Sequence, residues 1–159
     1  MKTVMTALAA VLALAGTAAA DEVWSTPIGD VIYETDLPEQ GIAVLSYPLG
    51  DGESEAVDND AEEGTDPAPR GRAFFYGLAG VYTGRGAFSG IWIEPDAGTD
   101  ELCDTAIVNP LTGEQARNWG RLDLVFTKPD YPSGWVAMRG ECFNQPDAYL
   151  VGHPVVGGD

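Results

Sequence analysis

Residues 118–143, NWGRLDLVFTKPDYPSGWVAMRGECF, are the stretch of sequence that decides the fold. Polar and apolar residues alternate with a period of two through residues 121–126, which is the pattern of a half-buried strand. A second alternation follows in residues 135–142. Between them, Pro129 and Pro132 each fix φ and remove a backbone donor, so neither strand continues through the connection. The stretch therefore predicts one antiparallel hairpin.

The charged residues of this hairpin predict its register, because opposite charges favour facing positions on neighbouring strands. The predicted pairs are Thr127–Trp135, Asp123–Arg139 and Arg121–Glu141 on the exposed face, and Leu124–Met138 and Phe126–Val136 on the buried face. In this register the side chain of Trp135 points away from the buried face. A shift of one residue would reverse both faces of the second strand.

Similar strand patterns recur along the rest of the chain, at residues 23–34, 41–47, 73–82, 87–94, 103–108 and 149–156. Turn residues separate them every eight to twelve positions, and residues 114–117 could form no more than a helical turn. Glycines 77, 80 and 90 fall within strand patterns, which indicates bulges, bends or close backbone approach. We therefore expect an all-β protein of about eight strands, either a small antiparallel meander barrel or a two-sheet sandwich.

The N-terminal residues have the pattern of a secretory signal peptide. Residues 1–20 combine a single positive charge at Lys2, an apolar run over residues 4–15 and an A-x-A site before Asp21. The apolar run is shorter than the roughly 20 residues that span a bilayer. We expect residues 21–159 to form a single exported β domain, periplasmic or extracellular, with no transmembrane segment in the mature chain.

The two cysteines predict a disulfide, since an exported chain meets an oxidising compartment. A Cys103–Cys142 bridge would close a loop of about 40 residues and contribute roughly 4 kcal/mol on the chain-entropy model. Two cysteines and the single histidine, His153, are too few for a structural zinc site. We therefore expect neither a bound metal nor a cofactor.

The formal net charge is −17, and the basic residues are unevenly distributed. Residues 21–69 contain no Lys or Arg, which argues against binding to nucleic acid or to an anionic membrane. Residues 50–72 are rich in acidic residues and have few apolar ones, so we expect a flexible acidic loop there.

Motifs for metal-dependent or nucleotide chemistry are incomplete. Asp58, Asp60 and Glu62 have the spacing of the first ligands of a calcium loop, but Glu63 stands where that loop needs glycine. The glycines of residues 84–90 are followed by a strand pattern and not by the helix that a phosphate loop requires. We interpret both stretches as ordinary loops.

Catalytic groups are also not singled out. His153 is not accompanied by a nucleophile motif, and no pair of carboxyl groups has the apolar setting that would raise one pKa. We therefore predict no catalytic residue and a non-enzymatic function.

The four tryptophans give the best indication of a ligand. Such residues are most often core, but an exposed group of aromatic and arginine side chains would suit a peptide, a sugar or a protein surface. The candidate ligand-binding residues are Trp92, Arg117, Trp119, Arg121, Tyr131 and Trp135.

Gly90-Ile91-Trp92 resembles the G-x-W motif of lipocalin- and avidin-type barrels, where it belongs to the first strand; here it lies mid-chain. In size and charge the chain is also similar to small exported acidic barrels that inhibit lysozyme or proteases, but it has none of their motifs. These features do not assign it to a family.

Three functional hypotheses follow from the sequence. The first is an exported, non-enzymatic β domain that binds a small molecule, a glycan or a protein. The second is an acidic inhibitor or sequestering partner of a cationic secreted enzyme, because the one-sided charge would speed association with such a partner. The third is an enzyme of unrecognised type.

Overall fold

The computed structural model describes residues 22–49, 70–96 and 102–156, and within these ranges the chain is all-β with no helix. The strands are β1 (Val23–Thr26), β2 (Gly29–Leu37), β3 (Ile42–Pro48), β4 (Arg70–Tyr76), β5 (Ala87–Ile93), β6 (Ile107–Val108), β7 (Gln115–Ala116), β8 (Trp119–Phe126), β9 (Trp135–Glu141) and β10 (Ala148–Pro154). The predicted signal peptide lies outside the described residues, as does most of the predicted acidic loop. β4 begins at Arg70, inside the span assigned to that loop.

Eight strands form a closed antiparallel barrel in the order β1-β2-β3-β4-β5-β8-β9-β10, with β10 paired back to β1. Each barrel strand thus pairs with its neighbour along the chain, and β6 and β7 form a separate two-stranded sheet between β5 and β8. The structure confirms the barrel and excludes the sandwich. Closure removes the exposed edges at which strands of other molecules could pair.

Large aromatic side chains on the inner face lie directly opposite glycines on the neighbouring strand. The pairs are Tyr47–Gly71, Phe75–Gly90, Trp92–Gly120 and Trp135–Gly152. At Gly71, Gly120 and Gly152 an added Cβ would collide with the facing ring. At Gly90 it would collide with the backbone carbonyl of Phe74 and would lie 3.0 Å from the ring of Phe75. The rings therefore lie close to the barrel wall, in space that the side chain of any residue other than glycine would occupy at the facing position. This confirms close backbone approach at Gly90, one of the readings predicted for the glycines within strands.

The β6–β7 hairpin covers part of the outside of the barrel and creates a second core there. Phe74, Val44 and Trp119 are buried in this outer cluster. The predicted disulfide between Cys103 and Cys142 is confirmed, with a Cα–Cα distance of 5.6 Å, and both cysteines belong to this cluster. The bridge thus ties the connection before β6 to the end of β9.

The β8–β9 hairpin is confirmed, but its predicted register is wrong by one residue. Phe126 lies opposite Trp135 and Leu122 lies opposite Arg139, so the predicted Asp123–Arg139 pair does not form. Trp135 faces the barrel interior and Val136 faces outward, 38% exposed. Residues 135–138 are all apolar, so their alternation is the same in either register, and the tryptophan takes the interior because the barrel has space for a large ring.

Three other elements differ from prediction. β4 ends at Tyr76, six residues before the predicted end, because Gly77 and Gly80 adopt φ values of 76° and 71° that end the strand. The strand predicted at residues 103–108 is reduced to Ile107–Val108. Gln115–Ala116, within the proposed helical turn, is strand β7 instead.

Replacing Gly120 by alanine tests the pairing of glycines with rings. The new Cβ would overlap the indole of Trp92 and the carbonyl oxygen of Gly140, so we expect Gly120→Ala to lower the free energy of unfolding by about 1–3 kcal/mol. Urea denaturation measures the change. Gly86→Ala is the control, because an added Cβ there meets no atom within 4 Å. Equal stability of the two variants would contradict the pairing.

Candidate functional site

The barrel interior holds a cavity of about 80 Å³. Its position follows from the glycine–aromatic pairs, which hold the rings against the wall and leave space along the axis. The cavity is lined by Ile28, Val31, Leu45, Tyr47, Ala73, Phe75, Trp92, Leu122, Leu124, Trp135, Ala137, Arg139 and Leu150.

The wall of the cavity is almost entirely hydrocarbon. Eleven of the lining residues are aliphatic or lack a charged or hydroxyl group, and the exceptions are Tyr47 and Arg139. A volume of 80 Å³ has room for two or three waters at about 30 Å³ each. Water gains few hydrogen bonds in such a space, so the cavity favours an apolar group of similar size.

One end of the barrel is filled by side chains. The ring of Trp24 is fully buried and contacts the rings of Phe126, Tyr131 and Trp135 at centroid distances of 6.2–6.3 Å. Its Nε1–H donates to the carbonyl oxygen of Ser133 at 2.7 Å, which fixes the ring beneath the β8–β9 turn. The cavity is therefore closed at this end.

A buried ion pair reinforces the closed end. The guanidinium of Arg85 is inaccessible to solvent and donates to both carboxylate oxygens of Glu22, at 2.6 and 2.9 Å. The same group lies 4.9 Å from the ring centroid of Phe126 and donates to the carbonyl of Val81. A buried charge is tolerated when it is paired and hydrogen-bonded in this way, so the segment before β1 is fixed to the loop before β5.

The opposite end carries a polar cluster of Tyr47, Glu94 and Arg139, which we call the mouth cluster. Arg139 donates from Nη1 to Glu94 at 2.7 Å, and the Tyr47 hydroxyl donates to the same carboxylate oxygen at 2.9 Å. The guanidinium also stacks over Trp92, 3.6 Å from the ring centroid. Because the side chain of Arg139 is 33% exposed and lines the cavity, the cavity approaches the surface here.

Burial and charge fix the protonation of the mouth cluster. Burial, together with the negative charge of Glu94, holds the pKa of Tyr47 well above its usual value. Burial lowers the pKa of the Arg139 guanidinium, but its hydrogen bond to Glu94 contributes to a net pKa above the usual value. Tyr47 is therefore a neutral hydrogen-bond donor, and Arg139 keeps its positive charge.

The structure separates the six candidate ligand-binding residues. Trp92 and Trp135 line the cavity. Trp119 is buried under the β6–β7 hairpin and Tyr131 packs at the closed end. The remaining two, Arg117 and Arg121, are exposed outside the barrel. The chain therefore does not bring the six together into one exposed patch.

Several residues of the site are not among those predicted from the sequence. Ala137 and Arg139 lie on the inner face of β9, and the error of one residue in register had placed Arg139 on the exposed face. Tyr47 and Glu94 meet across the end of the barrel, 47 residues apart in sequence. Gly71, opposite Tyr47, is the signal that could have indicated an inward ring at that position.

A second, polar depression of about 230 Å³ lies outside the barrel, between the start of β4, the end of β5 and the β6–β7 hairpin. Its charged groups have mixed sign and include Arg70, Arg72, Glu94 and Asp96. Arg72 is paired with Glu34 at 3.0 Å, and Asp96 accepts hydrogen bonds from the backbone of Asn118. These charged groups of the depression thus take part in structural contacts.

Within the described ranges, no three His, Cys, Asp or Glu side chains come together as a metal-binding group. Asp58, Asp60 and Glu62, which have the spacing of calcium-loop ligands, lie outside those ranges. No helix in the described part of the chain has the length and apolar character needed to cross a bilayer. Comparison with family models, curated proteins and solved structures found no match to this chain.

The raised pKa of Tyr47 predicts a loss of stability at alkaline pH. Above about pH 10 the unfolded chain releases the tyrosine proton while the folded protein keeps it, so the free energy of unfolding falls by about 1.4 kcal/mol per pH unit for this group. Below pH 10 both states hold the proton and the contribution is constant. We expect Tyr47→Phe to reduce the slope above pH 10, measured by urea denaturation across the pH range.

Tyr149→Phe is the control for this measurement, because it removes the same hydroxyl from a side chain on β10 that is 77% exposed. A slope unchanged by Tyr47→Phe would contradict the assignment of Tyr47 as a buried neutral donor.

Proposed function

We propose that this chain is a non-enzymatic binding protein that holds one small, mainly apolar molecule inside its barrel. The observation that carries the proposal is the hydrocarbon-lined cavity, closed at one end by Trp24 and reaching the surface beside Arg139. Ligand sites in proteins are typically concave and apolar, with a few placed polar groups, and the mouths of β-barrels are common positions for them.

The cavity lining supports binding and not catalysis. Tyr47 and Arg139 are the titratable side chains that line it, and both have pKa values above their usual range. Neither group exchanges a proton near neutral pH, where general acid–base catalysis needs a pKa close to that of the solution. Tyr47 and Arg139 are therefore suited to binding and orienting a ligand.

A small molecule suits the geometry better than a glycan or a protein. Sugars are usually held by exposed aromatic faces with several hydrogen-bonding groups, whereas Trp92, Trp119 and Trp135 are each at least 97% buried. A protein ligand could not enter a cavity of this volume. The interior therefore limits the ligand to a molecule of a few atoms.

Export to the periplasm or the cell exterior is part of the proposal. The Cys103–Cys142 disulfide supports it, because such bridges persist in oxidising compartments. The signal-like pattern of residues 1–20 agrees with it.

Filling the cavity tests the proposal. Ala137 lines the cavity and is 7% exposed, so Ala137→Phe places a ring in the ligand space. We expect 2-methylpropene, with four carbons, to raise the melting temperature of the wild type, by the mass-action stabilisation that any ligand of the folded state gives, and to leave that of Ala137→Phe unchanged. Differential scanning calorimetry measures both.

Val136→Phe is the matched control, because it adds the same ring one residue away on the outer face. It should retain the response to 2-methylpropene. Ala137→Leu provides a smaller filling substitution if the phenylalanine variant does not fold. Equal responses from the filled and control variants, or none from the wild type, would contradict binding in the cavity.

The net charge of −17 favours a second candidate function, the sequestration or inhibition of a cationic secreted enzyme. In that case a basic hydrolase is retained on the immobilised protein at low salt, is released at moderate salt and loses activity when bound. Retention that does not depend on salt, or no retention at low salt, would rule out this candidate.

A further inference from the structure

The mouth cluster crosses the open end of the barrel from one side to the other. Tyr47 lies on β3 and Arg139 on β9, and these two strands are four strands apart in either direction around the barrel. Glu94 directly follows β5, which is two strands from each of them. One carboxylate oxygen of Glu94 accepts from both Arg139 and Tyr47, at 2.7 and 2.9 Å, so the hydrogen bonds connect opposite walls.

The guanidinium of Arg139 is held at the boundary between the cavity and the surface. It lies 3.6 Å from the ring centroid of Trp92, and that ring is fixed by the hydrogen bond from its Nε1–H to the carbonyl oxygen of Gly140 at 2.9 Å. Arg139 lines the cavity, yet its side chain is partly exposed to solvent. The cavity therefore ends on this side at Arg139.

The other boundaries of the cavity cannot move to make room for a longer molecule. Around the sides, every barrel strand is hydrogen-bonded to a neighbour on both edges. At the closed end, Trp24 is in contact with the rings of Phe126, Tyr131 and Trp135. A ligand that outgrows the cavity can extend only toward the mouth cluster.

We propose that the mouth cluster limits the length of the ligand, with Arg139 as the specificity-determining residue. This inference rests on the proposed binding function and adds the class of ligand, which is a hydrocarbon molecule about as short as 2-methylpropene. A longer molecule would have to displace the guanidinium from Trp92 and Glu94. The carboxylate of Glu94, whose side chain is only 18% exposed, would then lose its charged partner.

Two alkenes of different length test the inference, 2-methylpropene and 2-methyl-1-pentene, which is two CH₂ groups longer. We expect the wild type to bind the longer alkene no more tightly than the shorter one. In Arg139→Ala the space of the guanidinium is open, so the two additional CH₂ groups are buried and the longer alkene binds roughly tenfold more tightly than the shorter one. Titration of the full protein in ¹H–¹⁵N spectra gives the dissociation constants.

Two control variants separate a limit on length from a general loss of stability. Arg72→Ala removes an arginine of similar exposure, 37% against 33%, from an ion pair on the outside of the barrel. Arg139→Lys keeps a positive charge that can pair with Glu94. Both should keep the wild-type ratio of the two dissociation constants, whereas a loosened barrel would change the affinity for both alkenes alike.

If Arg139→Ala does not fold, Arg139→Ala combined with Glu94→Gln takes its place, because that variant leaves no charge without its partner. The outcomes also separate this inference from the proposed function. Binding of 2-methylpropene with the same ratio in the wild type and in Arg139→Ala would leave the cavity as a binding site and overturn the role of the mouth cluster. If neither alkene binds to the wild type, both proposals are wrong.

Discussion

The pairing of large inward rings with glycines on the adjacent strand is the constraint on which this barrel depends. Trp92 and Trp135 each lie over a glycine, and so do Tyr47 and Phe75. An eight-stranded barrel is just wide enough for side chains to fill it. Where the facing residue has no Cβ, the ring moves toward the wall, and part of the axial space stays empty. The cavity is a consequence of this arrangement.

The two ends of the barrel differ in packing and in the exposure of their charged groups. At one end, Arg85 and Glu22 form a buried bidentate ion pair beside a group of packed rings, so no space remains for solvent or ligand. At the other end, Arg139 and Glu94 form a half-exposed pair that keeps polar groups at the surface and leaves hydrocarbon below them. This polarity suits a molecule that enters from one side.

Trp135 lines the cavity and also packs against the closed end of the barrel. Its ring lies 6.2 Å from that of Trp24 by centroid distance, so it belongs both to the wall and to the packed end.

Much of the fold could be predicted from local patterns. The all-β class, the meander of about eight strands, the β4–β5 and β8–β9 hairpins and the Cys103–Cys142 bridge all follow from alternation, turn residues and composition, which act over a few neighbouring residues. The site could be predicted only in part. The sequence indicates Trp92 and Trp135 as candidates, but the predicted register of the β8–β9 hairpin puts Arg139 on the exposed face. Residues 135–138 show why, since apolar side chains on both faces of β9 allow either register.

By itself, then, the sequence determined that paired strands would form a small disulfide-linked β domain. Only the tertiary structure decided which face of β9 points inward, that the sheet closes on itself, and that Tyr47, Glu94 and Arg139 meet at one end. The physical reason is that a strand's own pattern records how apolar each face is, whereas the choice between two apolar faces depends on the shape of the space offered by strands far away in the chain.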